Sequence, residues 1–379
     1  MRITIVMGFF LPVPPAAGGA TEKSWHRLAH EFAAQGHTVT VISRQWPGWP
    51  DDEQRDGVRH RRLPGHAHTP HLLRNLWHDF RWSLRAGRAL PSADVTVVHS
   101  VALPLWLGRR RPDAGRIVVM PGRMPKGQYR FYRRIDRVLA VSSAVGQAVL
   151  AENPALAPVI KTFGYPIAWS ALTAPRSVRS HAAPLTLGFV GRLHREKGLD
   201  LLIGALARLA QRTDLPPWRV LLCGPSAVTQ GGSGPAYAAA LERRLATVLP
   251  RDRFDVRPPA FDDDILAATY REIDVFCYPS LAARGETFGV AVVEAMAGGA
   301  VPVVSQLACF SDFIRPGKNA EMFDHTAPDA ATALASLLGG LLADPARRSR
   351  LARAAQADAR AYDYPAFAAR LLADFSTLK

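Results

Sequence analysis

The sequence predicts an α/β protein with two doubly wound parallel sheets, one in each half of the chain. In the first half, the apolar run 3–9 leads through a loop rich in Pro and Gly into an amphipathic helix and a second apolar run, 37–43. The same order restarts at 185–193 and continues to 218–224. Parallel strands need helical crossovers, so this alternation predicts parallel sheets. A chain of 379 residues is long enough to bury two cores.

Shorter segments extend both predicted sheets. Further strands are predicted in the first half at 94–100, 116–122 and 137–143, and in the second half at 274–280 and 300–305. Apolar periodicity predicts helices at 21–36, 198–210 and 361–375, near 289–298, and from about 128. The acidic triplet 262–264 is interpreted as a helix start rather than as a metal site.

The two halves are expected to form separate domains, 1–170 and 171–360, with a final helical segment, 361–379, that packs back on the first. The segment 168–184 between them is basic and typical of a turn-rich linker. Open α/β sheets bind ligands at the carboxyl ends of their strands. We therefore expect the two domains to face a cleft that carries the functional residues.

Composition excludes several classes of protein. With 48% hydrophobic and 21% charged residues, the chain is globular rather than disordered or fibrous. Cys223, Cys277 and Cys309 match neither a disulfide framework nor a zinc motif. The first apolar run is short and interrupted by Pro, so we do not interpret it as a secretory signal, and no run approaches the ~20 residues of a membrane span. We expect a cytoplasmic protein, either soluble or peripheral at the inner face of the membrane.

The segment FVGRLHREKG, 189–198, has the composition of an anion site. A predicted strand ends in a Gly turn, and Arg192 and Lys197 follow before a helix. Backbone amides at a helix start together with two cations suit a diphosphate. A capped helix with solvated charges is the alternative for this segment taken alone.

The segment GETFGVAVVEAMAGG, 285–299, carries Glu286 and Glu294 among apolar and small residues. A helix that begins near Gly289 would include Glu294 and leave Glu286 in the preceding loop. Buried carboxylates need donors, which sugar hydroxyls provide. We expect Glu286 to bind a hexose, Glu294 a ribose, and the amides near Gly289 a phosphate, which together outline a nucleotide-sugar site.

Together with the PPAAGGATE loop, 14–22, these segments resemble the family-four retaining glycosyltransferases of the GT-B fold. The E-x7-E pair of that family is met by Glu286 and Glu294, and its GR-x4-KG motif is met with Arg192 and Lys197 in the expected order. The resemblance extends over nearly the full chain. It implies two Rossmann-like domains, the first on the acceptor side and the second binding the nucleotide sugar.

The resemblance also implies a reaction. A hexose of the mannose or glucose type would pass from a GDP or UDP sugar to a hydroxyl acceptor with retention of anomeric configuration. Arg192 and Lys197 would hold the donor diphosphate and stabilise the charge of the leaving group. With Glu286 at the donor sugar, these three residues are the candidate catalytic set. Because the cations replace a metal, neither a metal nor another cofactor is implied.

The remaining candidate residues would bind substrate. A loop containing Gly18 and Gly19 would close on the diphosphate, since small residues allow close backbone approach. Many relatives place a histidine after the strand that here reads RIVVM, where this chain has Met120. His99 is the nearest substitute, although a lone histidine at a strand end is more often structural. The implied substrate-binding residues are Glu294, Gly18, Gly19, Gly191, Phe288, Gly289, Val290 and His99.

A second departure from the family leaves donor specificity open. After the strand AVPVVS, relatives often have a Gly-rich turn and then a glutamate, whereas this chain reads QLACFSDF. Asp312 is the candidate substitute for that acid.

Positive charge is concentrated in the first half. Residues 1–170 hold 23 Lys/Arg against 11 Asp/Glu, a net +12, whereas 171–379 hold 24 against 21, a net +3. The stretch 60–85 contributes several of these cations. The helix predicted from 128 would align four arginines on one face and turn three apolar residues towards the core. The other basic positions are Arg109, Arg110 and Arg111, the aligned four are Arg130, Arg133, Arg134 and Arg137, and the apolar three are Phe131, Ile135 and Val138.

Several explanations of this charge and of the function stay open. A solvated face is one, and nucleic-acid binding lacks a recognisable motif. Because relatives commonly build surface polysaccharides or glycolipids on lipid carriers, the resemblance favours a basic surface that meets an anionic membrane and a lipid-linked acceptor. Natural-product glycosyl transfer and a catalytically silent nucleotide-sugar-binding partner are alternatives. A two-domain oxidoreductase would need a G-x-G-x-x-G after the first strand, which is absent here.

Overall fold

The computed structural model describes residues 1–16, 19–174, 183–260 and 262–378. Gly18 and the stretch 175–182 of the predicted linker lie outside the described residues. The contacts divide the chain into two compact units. The first combines Met1–Pro166 with Tyr364–Lys379, and the second is Ile167–Asp363.

The first unit is built on a sheet in which eight strands are described, in the order β3-β4-β2-β1-β5-β6-β7-β8. Among the described strand pairs of this sheet, only β3 with β4 is antiparallel. The strands are β1 (Arg2–Val6), β2 (Thr38–Arg44), β3 (Asp52–Arg55), β4 (Val58–Leu63), β5 (Val95–Val98), β6 (Arg116–Val119), β7 (Arg137–Ala140) and β8 (Ile160–Thr162). Continuous apolar runs such as VTVV in β5 are buried, as strands covered on both faces require.

Five helices described in the first unit flank its sheet or join its strands. They are α1 (Ala20–Ala34), α2 (Leu72–Ala89), α3 (Leu107–Arg110), α4 (Ser143–Glu152) and the last helix, α12 (Tyr364–Ser376). Trp82 of α2 is 1% exposed and donates its indole N–H to the carbonyl of Met7 at 3.0 Å, which fixes that helix on the sheet. Phe32 of α1 contacts Phe375 of α12, so the final segment shares a core with the first unit.

The second unit has a wholly parallel sheet in which six strands are described, in the order β11-β10-β9-β12-β13-β14. The strands are β9 (Leu185–Val190), β10 (Trp218–Cys223), β11 (Phe254–Arg257), β12 (Val275–Tyr278), β13 (Val301–Ser305) and β14 (Glu321–Phe323). The helices are α5 (Trp169–Leu172), α6 (Leu199–Ala210), α7 (Pro235–Val248), α8 (Asp263–Arg271), α9 (Val290–Ala297), α10 (Ala330–Ala343) and α11 (Pro345–Ala359).

The prediction of two doubly wound α/β sheets is confirmed. In each sheet the strand order reverses beside the first strand of the unit, between β1 and β5 and between β9 and β12. Such a reversal sends successive crossovers to opposite faces and opens a crevice at the carboxyl ends of the two strands. The acidic triplet is also confirmed as a helix start, because the carboxylate of Asp262 accepts hydrogen bonds from the amides of Asp264 and Ile265.

The prediction of a helix from about 128 is wrong. Gln128–Phe131 forms a single 3-10 turn, and the chain is again a strand from Arg137. The side chain of Asn153 donates to the carbonyls of Tyr129 and Tyr132, both at 3.0 Å, and Glu152 accepts from the amide of Tyr129. Asn153 thus takes two carbonyls that a helix would have paired internally, so tertiary contacts override the helical spacing.

The four arginines therefore do not share one helical face. Arg137 is 6% exposed and bonds to Asp374 of α12, whereas Phe131, expected in the core, is 62% exposed. Ile135 and Val138 are buried as expected. Arg111 is also employed internally, since its guanidinium donates to the carbonyl of Leu90 at 2.8 Å.

Candidate active site

The candidate site of the second unit lies where the order of its strands reverses. Gly191 and Arg192 follow directly after β9, and Pro279 and Ser280 follow directly after β12. These are the two strands whose carboxyl ends flank the expected crevice. The fold therefore brings the motifs 189–198 and 285–299 to one edge of one sheet, although Arg192 and Glu286 are 94 positions apart in the sequence.

Gly198 allows the two motifs to approach each other. Its φ of 69° is in the left-handed region, and a Cβ built there would lie 1.9 Å from the carbonyl oxygen of Pro279. A side chain at this position is therefore excluded twice, by backbone conformation and by space. The turn after Lys197 consequently packs its backbone directly against the segment that leads to Glu286.

Lys197 and Glu286 form a buried ion pair at the centre of this edge. The Lys197 ammonium donates to Oε2 of Glu286 at 2.6 Å, and their side chains are 5% and 10% exposed. The Ser280 hydroxyl donates to the same oxygen at 3.2 Å. The ammonium also lies 5.3 Å from the centre of the Tyr278 ring. Burial and the neighbouring Glu286 carboxylate raise the pKa of Tyr278 well above its usual value, so its hydroxyl remains a neutral donor.

Arg192 is the more accessible cation. It donates to the carbonyl of Gly231 at 2.8 Å and to the carboxylate of Glu196 at 2.7 Å, and 40% of its side chain is exposed. A guanidinium held by two acceptors at an exposed edge keeps further N–H groups for an anion. Arg192 and Lys197 thus combine one accessible and one buried positive charge.

Glu294 lies inside α9, as predicted, and Glu286 lies in the loop before that helix. The hydroxyl of Tyr270 donates to Oε2 of Glu294 at 2.8 Å, and Glu294 is half-buried. Burial, followed by the Glu294 carboxylate, raises the pKa of Tyr270 well above its usual value. The contact orients the carboxylate while leaving part of it in reach of solvent or a ligand.

The start of α9 is open to a ligand through its backbone. Gly289 precedes the helix with φ 89° and, as a glycine, offers no side-chain cap. The first amides of a helix have no acceptor within it, so those of Val290 and its successor suit a phosphate oxygen. The side chain of Phe288 is 2% exposed and packs on Phe313 and Tyr362. Any role of Phe288 at the site is therefore through its backbone.

Two predicted residues are described in the first unit. Gly19 precedes α1 with φ 105°, and a Cβ there would meet the carboxylate of Glu22 at 2.1 Å. His99 follows β5 and packs edge-to-face on Trp25 with ring centres 5.1 Å apart. Its Nε2 has no hydrogen-bond partner among the described residues. Burial lowers the pKa of His99 to about 3, so the imidazole is neutral at physiological pH.

The positions at which the chain departs from the family pattern differ in exposure. Met120 is buried and Arg123, three residues later, is exposed. Asp312 is exposed, on the segment that follows β13. Cys309 lies close by, and burial, followed by the Glu286 carboxylate, raises the pKa of its thiol to about 12.

The sequence analysis assigned no role to three residues that orient the candidate site. Ser280 and Tyr278 surround the Lys197–Glu286 pair, and Tyr270 holds Glu294. Ser280 could have been found, since it lies two residues after the end of β12 and six residues before Glu286. Tyr270 gives no such signal, because it lies on α8 among apolar residues that any core helix would carry.

Comparison with solved structures identifies the class of fold. A crystal structure of the Anabaena protein HepE in complex with UDP superposes with a TM-score of 0.72 and 16% identity, covering 100% of both chains. The same protein with UDP-glucose gives a TM-score of 0.68 at 17% identity, again over 100% of both chains. The fold is therefore that of the two-domain GT-B proteins.

Comparison of sequences gives the family. The model for glycosyl transferases group 1 matches residues 173–358, and the model for Glycosyltransferase Family 4 matches residues 17–160. The chain belongs to the family-four glycosyltransferases of the GT-B fold, as the motifs predicted.

Two curated relatives match part of the chain. A D-inositol 3-phosphate glycosyltransferase of Corynebacterium efficiens is 33% identical over 208 residues, which is 53% of this chain and 45% of the relative. A phosphatidyl-myo-inositol mannosyltransferase of Mycobacterium tuberculosis is 31% identical over 195 residues, 51% of this chain and 47% of the relative. The chain thus spans about half the length of the curated relatives it matches.

Proposed function

We propose that the protein transfers a hexose of the mannose or glucose type from a nucleoside diphosphate sugar to a hydroxyl acceptor, with retention of configuration, in bacterial surface polysaccharide or glycolipid assembly. The observation that carries the proposal is the Lys197–Glu286 pair, buried at 2.6 Å beside the open start of α9. Family membership and the UDP and UDP-glucose complexes of HepE support a nucleotide-sugar donor.

In the proposed donor site, residues of the second unit contact each part of the nucleotide sugar, from the ribose through the diphosphate to the transferred sugar. Glu294, held by Tyr270, accepts from the ribose hydroxyls, and Glu286 accepts from the hydroxyls of the transferred sugar. The diphosphate lies against Arg192, Lys197 and the first amides of α9. The buried carboxylate of Glu286 accepts hydrogen bonds from the ammonium of Lys197 and the hydroxyl of Ser280. The hydroxyls of a bound sugar would replace these donors or add to them.

The proposed chemistry is charge stabilisation rather than nucleophilic attack by the protein. The bond between the anomeric carbon and the diphosphate oxygen breaks, and the electron pair leaves with the diphosphate. The acceptor oxygen forms its bond on the same face, and its proton passes to the departing diphosphate. Arg192 and Lys197 are oriented before the reaction, so they stabilise the developing negative charge without a metal ion.

The acceptor side is proposed to meet an anionic membrane through α2. Among the described residues, no helix has the length and apolar character to cross a membrane. On α2, however, large apolar side chains are exposed, with Leu73 at 80% and Trp77 at 57%. The same helix exposes three further apolar side chains and three arginines. They are Leu72, Leu76 and Phe80, and Arg74, Arg81 and Arg88. An exposed helix that combines leucines, an aromatic ring and arginines suits the interface of an anionic bilayer. The lipid named for the mycobacterial relative agrees with a lipid-linked acceptor.

Co-sedimentation tests the membrane proposal. The protein is expected to bind vesicles that contain phosphatidylglycerol at low salt, and to be released by high salt. The double variant Leu73→Ser/Trp77→Ser should lose this binding. Ile265→Ser removes a comparably exposed apolar residue (61%) of the second unit and should bind as the wild type does. Failure of the wild type to sediment with anionic vesicles would contradict the proposal.

A thermal-shift screen tests the donor proposal. Purified protein is heated with GDP, UDP, ADP, TDP and their common sugar derivatives, since a ligand that binds only the native state raises its stability. One preferred nucleotide is expected, and its sugar derivatives then serve as donors in a transfer assay. Stabilisation by none of them would count against the donor site. Stabilisation without transfer or hydrolysis would favour a catalytically silent sugar-nucleotide-binding partner instead.

A further inference from the structure

Three histidines of the first unit converge away from the proposed donor residues. His26 and His30 lie one turn apart on α1, and His60 lies on β4. One ring nitrogen from each can be chosen so that the three lie within 4.8 Å of one another. The rings of His26 and His30 are 4.5 Å apart between centres, and that of His60 is 5.9 Å from His26. We call these three residues the histidine cluster.

The histidine cluster lacks the hydrogen bonds that buried imidazoles normally make. His60 is 0% exposed, and neither of its ring nitrogens has a hydrogen-bond partner among the described residues. Nδ1 of His26 is likewise buried without a described partner. Buried polar atoms are almost always paired, because each unpaired one costs about 1–3 kcal/mol. An unpaired buried imidazole that faces two others therefore calls for a ligand.

The orientation of His30 agrees with a metal rather than with an anion. Its Nδ1 lies 3.4 Å from the carbonyl oxygen of Asp56, an acceptor, so Nδ1 carries the proton and Nε2 carries the lone pair. A backbone carbonyl that fixes the tautomer in this way is typical of metal-binding histidines. An imidazole nitrogen that keeps its lone pair binds a cation and cannot donate to an anion.

The surrounding charges set limits on such a cation. Arg55 lies near both His26 and His60, and Arg62 lies near His60. Glu53, directly opposite His60 in the β3–β4 ladder, offsets them in part while pairing with Arg62 at 2.8 Å. Hard cations such as Mg²⁺ and Ca²⁺ prefer oxygen ligands and gain little here. Ions that bond strongly to imidazole nitrogen are favoured.

We propose that His26, His30 and His60 bind a single transition-metal ion of the Zn²⁺ type. Nitrogens bound to a tetrahedral Zn²⁺ at about 2.0–2.1 Å lie roughly 3.4 Å apart, so small rotations of the two helix-borne rings complete the site. Three protein ligands leave the fourth position to water. The ion cross-links α1, which follows Gly19, to β4 near the edge of the first sheet. It stabilises the first unit and takes no part in the transfer proposed for the second unit.

Metal binding to the full-length protein tests this site. The protein is stripped with a chelator, and bound Zn²⁺ is counted by native mass spectrometry while a chromophoric chelator reports the affinity. Co²⁺ is added separately, because its visible absorption reveals tetrahedral nitrogen coordination. We expect one Zn²⁺ per chain and a raised melting temperature.

Variants locate the ion. His30→Ala replaces a half-buried helix residue with a good helix former, and it should weaken Zn²⁺ binding by at least roughly tenfold. His60→Gln should do the same if it folds. His71→Ala, at an exposed histidine outside the cluster, should bind as the wild type does. No stoichiometric Zn²⁺ in the wild type, or unchanged affinity in His30→Ala, would overturn the proposal.

Discussion

Two buried ion pairs among the described residues have similar construction and different settings. Lys197 and Glu286, in the second unit, have side chains 5% and 10% exposed. Arg137 and Asp374, in the first unit, are 7% and 4% exposed. Asp374 has a second cation, since Lys161 donates to its other oxygen at 2.5 Å. Glu286 instead has one ammonium and the hydroxyl of Ser280.

Position in the sheet distinguishes the two pairs. Arg137 is the first residue of β7 and joins that strand to α12. Lys197 lies beyond the carboxyl end of β9, between a strand and a helix, where open α/β sheets bind ligands. Burial and pairing therefore do not by themselves identify a functional charge. The pair at the carboxyl end of the sheet, in which Glu286 receives one cation and not two as Asp374 does, is the one that a ligand can complete.

Removing Lys197 should have the largest effect. Lys197→Ala deletes the buried cation proposed to stabilise the leaving diphosphate, and we expect transfer to fall by roughly 10²–10³-fold. Initial rates with the donor found by the thermal screen measure this loss. Circular dichroism checks that the variant is folded, since Glu286 is left buried with one donor fewer. Transfer at the wild-type rate would refute the assigned role.

Removing Arg137 should instead act on stability. Arg137→Ala leaves Asp374 paired with Lys161 alone, and we expect the free energy of unfolding to fall by roughly 3 kcal/mol. Urea titration measures the loss, and transfer per folded molecule should remain near the wild-type value. If Arg137→Ala abolished transfer while stability stayed intact, the distinction between the two pairs would collapse.

Glu294 sharpens the comparison within the second unit, because it is half-buried and held by a neutral donor. Glu294→Ala should lose charge-assisted hydrogen bonds to the ribose, worth about 1.5–3 kcal/mol, or roughly 10–100-fold in kcat/KM for the donor. Tyr270→Phe is the matched control, since it removes only the orienting hydroxyl and should cost less. Equal kinetics for Glu294→Ala and the wild type would remove Glu294 from the donor site.

The smallest expected effect concerns His99, a half-buried residue that makes no ion pair among the described residues. Its pKa is about 3 in the folded protein against 6.5 in an unfolded chain, so the unfolded state binds the additional proton between these values. Its contribution to stability is therefore present above pH 6.5 and is lost as the pH falls towards 3. Between about pH 7 and 5.5, the free energy of unfolding should fall by about 1 kcal/mol less in His99→Gln than in the wild type.

Urea unfolding at several pH values measures this difference. His71→Gln, at an exposed histidine, is the control and should follow the wild type. If the free energy of unfolding of His99→Gln depended on pH as that of the wild type does, His99 would not be the source of the pH dependence.

The sequence was most informative where local pattern and tertiary structure agree. The strands around Ile5, Val97 and Val303 are continuous apolar runs, which are typical of parallel strands covered on both faces. The helix around Glu294 and the turn at Gly198 were also predictable, because glycine marks both starts. The helix start predicted near Gly289 also placed Glu286 in the preceding loop.

Long-range partners could not be predicted. Nothing near Tyr129 in the chain indicates that Asn153 will take its carbonyl as an acceptor, and so the expected helix was wrong. Arg137 has the spacing of a surface residue, yet its partner Asp374 lies 237 positions away. The histidine cluster was missed for the same reason, because His60 joins His26 and His30 only once β4 lies in the sheet.

The contact between α1 and α12 has a consequence for synthesis. Met1–Pro166 leaves the ribosome before Ile167–Asp363, and α12 leaves it after both. Until then the pocket around Phe32 lacks Phe375, and Arg137 lacks its carboxylate. The first unit is thus the earlier one to begin folding and the later one to finish. A circular permutant that encodes 364–378 ahead of residue 1 would remove this delay.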